Sequence, residues 1–171
     1  MKIGALAEVF PGETRVALTP DSAGQLAKLG HVSVIQSGAG AKAGFSDAAY
    51  AAAGVEVLPD AAAVIAAADV LVKVRGPEMA EAQALRSGQT LISFFWPAQN
   101  PELLEAVKAR GATVVAMDMV PRISRAQKMD ALSSMANLAG YRAVIEAANN
   151  FPRFFTGQVT AAGKVPPSPD R

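Results

Sequence analysis

The 171-residue sequence contains no cysteine. That absence removes disulfides, thiol nucleophiles and thiolate metal sites, and leaves the redox compartment unmarked. There is a single histidine, His31, set beside Gly30 at a turn. The order of residues therefore supports no Ser-His-Asp relay and no histidine-rich metal cluster, and no carboxylate pairing of the glycosidase kind is visible. Aromatic residues make up 6% of the chain and the net charge is +1, without a basic stripe. Nucleic acid is accordingly not an expected partner. No apolar run approaches the roughly 18 residues of a membrane-spanning helix. The opening MKIGALAEV lacks the apolar core of a signal peptide and reads as a first strand.

What is present is apolar residue in quantity: 51% of the chain, with mean hydropathy +0.23. That is ample for one domain with a single core. Apolar strands are expected at 2–8, 31–36, 55–58, 70–74, 90–95 and 113–117. Helices fall between them, one entered from Thr19 with Pro20 at its first position, others from Ser46 and Asp60. Strands alternating with short helices predict an α/β fold: a parallel-sheet, Rossmann/flavodoxin-like three-layer domain, here followed by a long C-terminal crossover helix. The expected division is 1–130 for the α/β domain, 131–150 for an interdomain helix and 151–171 for a linker towards a further domain. The helix is apolar around most of its circumference, and Phe151, Phe154 and Phe155 follow it. Both features ask for cover from another domain or a partner chain.

In open parallel sheets ligands sit beyond the carboxyl ends of the strands. Arg15, Lys73, Arg75, Trp96 and Arg122 all lie just past predicted strand ends and are expected to converge there. Arg15 and Lys73 could form a cationic pair able to hold a carboxylate or phosphate, or could be solvated charges paired with Glu13 or Glu78. Asp118 is assigned no chemistry. Gly38, Gly40 and Ala43 match G-x-G-x-x-A formally, but Gly44 interrupts the helix start, so an ordinary glycine turn is expected.

The segment from Pro121 to Asp130 differs in kind, being a dense polar loop between an apolar strand and the long helix. Arginine can hold a phosphate or carbonyl. Glutamine offers a carboxamide both a donor and an acceptor, and aspartate can fix an arginine or a hydroxyl. Such groups suit hydride transfer between two cofactor rings, which needs contact and exclusion of water more than an acid or a base. The plainer alternative is a helix cap, Asp130 or Ser133, with solvated charges around it.

At these residues the sequence resembles the N-terminal part of the alpha subunit of proton-translocating NAD(P) transhydrogenase, a family that shares its fold with alanine dehydrogenase. The matching stretches are PGETRVALTP, SGAG, LVKV, SFFWPAQNPELL, VPRISRAQKMDALSSMANLAGYRAV and FFTGQVTAAGKVPP. The resemblance implies transfer of hydride from NADH to NADP+, coupled to proton translocation. It implies that Arg122, Gln127, Asp130 and Ser133 bind NAD(H), with Gln127 the catalytic residue poised between the two rings. It further implies a Rossmann domain that holds the rest of NAD(H), downstream or on a separate chain. NADP(H) would sit on a partner domain, beside membrane subunits, in a dimer that is cytoplasmic and peripheral to the membrane; the chain alone is expected to be inactive. The alternatives are an alanine dehydrogenase-like oxidoreductase domain or a non-catalytic half-domain that docks a partner. Trp96 stands where the dehydrogenases carry their catalytic histidine, which counts against the first of these.

Overall fold

The computed structural model describes residues 1–165. These form two compact units, Met1–Met129 and a second from Asp130 onward. The first is built on six strands: β1 (Lys2–Ala5), β2 (Val32–Gln36), β3 (Glu56–Leu58), β4 (Val70–Val72), β5 (Thr90–Ser93) and β6 (Thr113–Ala116). All pair in parallel, in the order β3-β2-β1-β4-β5-β6. The five crossovers carry α1 (Pro20–Lys28), α2 (Asp47–Ala52), α3 (Ala61–Ala67), α4 (Met79–Ala84) and α5 (Pro101–Ala109). This is the expected α/β, Rossmann-like architecture, with its order reversing between β1 and β4.

Period-two alternation along the strands divides the core in two. Register aligns Ala5 with Ile35 and Val72, and these pack with Ala23 and Tyr50 under α1 and α2. The neighbouring row, Val34, Leu71 and Leu91, packs with Val64, Leu85 and Val107 under α3 to α5. Both faces of a parallel sheet must be covered, which is why its strands read as continuous apolar runs. The helix starts follow the sequence closely. Thr19 and Ser22 form a reciprocal capping box before Pro20, Ser46 caps α2 and Asp60 caps α3. Strand β1 stops at Ala5 rather than running on to Glu8, because residues 6–8 turn towards the sheet edge.

The glycine turn after β2 serves the core rather than a dinucleotide. Gly38 has φ +75° and its N–H donates to Asp47 at 2.9 Å. Gly40 lies against Tyr50, a fully buried ring whose hydroxyl donates to the Leu18 carbonyl at 2.7 Å. The second unit contains α6 (Ala131–Asn150), none of whose residues is buried, and a hairpin of β7 (Gln158–Thr160) with β8 (Gly163–Val165). The tail expected as a linker therefore pairs with itself over 158–165, and its last residues, 166–171, lie outside the described ones.

A β-carbon at Gly40 would come within 2.5 Å of the Tyr50 ring and 2.7 Å of its hydroxyl. Gly40→Ala is expected to destabilise the fold by about 1–3 kcal/mol, seen as a lowered melting temperature. Gly24→Ala, in α1 with open space around it, should change stability by roughly 1 kcal/mol in the opposite direction.

Candidate functional site

Because the strands are parallel, their C-terminal ends share one edge. The segment after β1 brings Glu8, Phe10, Glu13 and Arg15 to that edge, β4 brings Lys73 and Arg75, β5 brings Trp96, and β6 brings Asp118. There Glu8, Phe10, Lys73, Arg75, Trp96 and Asn100 line an open cavity of about 260 Å³. The expected convergence is observed for Lys73, Arg75 and Trp96, with Arg15 tied in through Glu13. Arg122 is not among the lining residues.

The cations are not an open pair. Lys73 is 4% exposed, and its ammonium donates to both Glu81 oxygens, at 2.9 and 3.1 Å, and to the Ala7 carbonyl at 3.3 Å. Three donors thus have three acceptors. Arg15 lies along Glu13, with Nε to Oε1 at 2.7 Å and a terminal nitrogen to Oε2 at 2.6 Å. Glu13 also takes Nε of Arg75 at 2.9 Å. The sequence reading of Arg15 and Lys73 as a ligand-holding pair is corrected on this point: buried charges need partners, and glutamates of the same chain supply them. The partner of Lys73 is Glu81, not Glu78. The Arg15 guanidinium holds the Glu13 carboxyl down to about 2. Burial pushes Glu8 the other way, against the N–H groups of Val74 and Arg75 that it accepts at 2.6 and 3.3 Å.

Trp96 is the one non-glycine residue with positive φ, +47°, among those described. A left-handed backbone at a bulky residue costs on the order of 1–3 kcal/mol, so something must hold it. Asp118 accepts from the N–H groups of Phe95 and Trp96 at 2.6 and 3.1 Å, and the Asn100 amide donates to both of their carbonyls at 3.0 Å. The indole stacks on Phe94 with ring centres 5.7 Å apart, and the Arg75 guanidinium lies 4.7 Å from the centre of the Phe10 ring. Sequence reasoning missed the role of Asp118. Its position directly after β6 was the available signal. The Trp96 side chain itself carries no titratable group, and no metal-holding cluster occurs among the described residues.

The polar loop follows β6 as two short 3₁₀ turns, Met117–Met119 and Ser124–Met129. Ala126 is buried and anchors the second turn, while Arg122 and Gln127 are exposed. Neither Arg122 nor Gln127 has a side-chain hydrogen bond among the described residues. In the second unit Asp130 caps α6: its carboxylate accepts the Ser133 N–H at 3.0 Å and the Ser133 hydroxyl at 2.6 Å. The structure thus brings Asp130 and Ser133 together, and presents Gln127 on the second turn and Arg122 on the segment between the two turns.

The edge network gives a pH dependence. With its folded pKa depressed to about 2, Glu13 contributes stability that is present above its ordinary pKa and lost as pH falls through the folded value. The contribution is on the order of 2 kcal/mol after discounting for the partly exposed arginines. Glu8, raised by burial, opposes this just above its ordinary range. Comparing Glu13→Gln with the parent by denaturant titration between pH 6 and pH 2 isolates the first effect. The parent should lose its advantage over the variant as the pH falls, and a constant difference would contradict the assignment.

Residues 4–139 match the family described as Alanine dehydrogenase/PNT, N-terminal domain. Over 168 residues the chain is 80% identical to NAD(P) transhydrogenase subunit alpha of Cereibacter sphaeroides, covering 98% of this chain and 32% of that protein. The crystal structure of transhydrogenase from Sinorhizobium meliloti superposes with a TM-score of 0.88 at 42% identity, covering 97% of this chain and 49% of the other. An L-alanine dehydrogenase structure gives 0.67 at 35% identity, over 70% and 33%. The chain spans about a third of the curated transhydrogenase subunit that it matches at 80% identity. By fold and by sequence, the chain belongs to the alanine dehydrogenase/PNT N-terminal domain family.

Proposed function

We propose that this chain is the N-terminal part of the alpha subunit of a proton-translocating NAD(P) transhydrogenase, and that Arg122, Gln127, Asp130 and Ser133 hold the nicotinamide end of NAD(H). The observation that carries the reading is the 80% identity to a transhydrogenase subunit alpha over nearly the whole chain. Two local features support it. The donors of Arg122 and Gln127 have no side-chain partner among the described residues, which fits a carboxamide or phosphate ligand. At the strand edge, Trp96 offers no titratable group where oxidation of an amino acid would need a base.

Bound at this loop, NAD(H) would supply the hydride that reduces NADP+ on a partner domain. The chain's own task is then positioning. Gln127 offers an N–H donor and a carbonyl acceptor on a tight turn, which suits it to lie between two carboxamides. Arg122 supplies positive charge, and Asp130 supplies an acceptor whose orientation Ser133 fixes. No general acid would be needed, because a hydride carries both electrons with it, one ring's C–H bond breaking as the other ring's C–H bond forms. A Rossmann domain holding the rest of NAD(H), an NADP-binding domain, membrane subunits and a second copy of the subunit complete the assembly in this reading. The division into 1–130, 131–150 and 151–171 serves it as body, interdomain helix and linker.

The test is Gln127→Asn in the assembled enzyme. It should lower hydride transfer by about tenfold or more with NADH affinity nearly unchanged. An unchanged transfer rate would rule Gln127 out of the site. Alanine-dependent NADH formation by the same assembly at about 1 per second or faster would favour the dehydrogenase instead.

A further inference from the structure

Sulfur in this chain is confined to six methionines, and four of them, Met117, Met119, Met129 and Met135, fall between residues 117 and 135. That stretch also holds Arg122, Gln127, Asp130 and Ser133. The methionines are not equivalent. Met119 is 66% exposed and Met129 is 55% exposed, whereas Met117 and Met135 are half-buried. Met119 ends the first 3₁₀ turn and Met129 ends the second. Backbone bonds from Val120 to Met117, Ile123 to Pro121 and Ala126 to Ile123 keep the intervening segment tightly turned. Two accessible thioethers therefore bracket a loop whose side-chain donors, on Arg122 and Gln127, lack partners among the described residues.

We propose that Met119 and Met129 form an oxidation-sensitive modification site that controls the 122–130 loop, with a hydroperoxide as co-reactant. The thioether sulfur attacks the peroxide, the O–O bond breaks and an S–O bond forms. Sulfur is oxidised to the sulfoxide, and hydrogen peroxide is reduced to water. The product replaces an apolar, polarisable group with a strong hydrogen-bond acceptor. Arg122, three positions from Met119, and Gln127, two positions from Met129, have no side-chain hydrogen bond among the described residues. A sulfoxide oxygen that accepts from either one withdraws it from a ligand. This inference rests on the reading of 122–133 as the ligand loop.

The test uses the assembled transhydrogenase treated with hydrogen peroxide, with sulfoxide quantified at each methionine by mass spectrometry and hydride transfer measured in parallel. Met119 and Met129 should oxidise ahead of Met117 and Met135. Transfer should fall by about tenfold, the equivalent of one charge-assisted hydrogen bond, and recover with the two methionine sulfoxide reductases. Met119→Leu combined with Met129→Leu should keep the untreated rate and resist peroxide, although Met1, at 67% exposure, still oxidises. Equal inactivation of that double variant would overturn the proposal, as would sulfoxide at both positions without a change in rate. If Gln127→Asn leaves untreated transfer intact, the ligand-loop reading itself fails. If Gln127→Asn slows transfer while oxidation at 119 and 129 does not, only the present inference fails.

Discussion

A parallel sheet leaves backbone N–H groups at the carboxyl ends of its strands that no neighbouring strand can accept, and this molecule closes them with side-chain acceptors. Glu8, past β1, accepts from Val74 and Arg75 beyond β4. Asp118, past β6, accepts from Phe95 and Trp96 beyond β5. Asp47, at the start of α2, accepts from Gly38 beyond β2, and the Gln36 amide oxygen accepts from Ala7 beyond β1. Unpaired buried N–H groups cost as much as lost hydrogen bonds, so the acceptors on part-buried donors, Glu8, Asp118 and Gln36, support the fold, while Asp47 meets Gly38 at an exposed turn. Carboxylates placed for that reason also bring negative charge to the edge. Lys73, Arg15 and Arg75 then follow as compensation, and the ion pairs of Glu13 and Glu81 complete it.

The same accounting separates what the sequence shows from what it hides. The caps at Thr19, Ser46 and Asp60 are local devices whose partners lie three residues on, so they can be read directly. The alternation of apolar strands with helices likewise reveals a parallel sheet. Strand order and strand-end acceptors are long-range facts. Glu8 meets Val74 across 66 residues and Asp118 meets Trp96 across 22. A place just past a strand end is their local signal, but the local pattern does not name the partner each one meets. Lys73 illustrates the intermediate case: its position past β4 was legible, but its burial depends on α4 turning Glu81 back over it.

The loop before α6 was legible for a different reason. Its 3₁₀ turns carry no apolar period, and composition alone marks it only as a polar junction. Its motif content supplied the reading, through resemblance, and the matching relatives support the family to which that motif belongs. The geometry adds something the motif could not: Asp130 is oriented by Ser133 through both backbone and hydroxyl, whereas Arg122 and Gln127 have exposed side chains, Gln127 on the turn that holds the buried Ala126 and Arg122 just before it.

These two regions divide the chemistry between them. At the strand edge the charges satisfy one another, and a strained tryptophan is clamped by Asp118 and Asn100. A site so constrained has little reserve for binding a charged substrate, since any new anion must compete with Glu13 and Glu81 for cations already paired. Competing with a partly buried pair exposes the displaced carboxylate to the cost of an unpaired charge. The loop has the opposite balance, with donors presented and few internal acceptors. Hydride transfer between two rings asks for the second kind of surface, because its transition state is reached by alignment rather than by proton movement. On these physical grounds the proposed ligand is better served by the loop, with its unpaired donors, than by the cavity at the strand ends, where the cations are already paired.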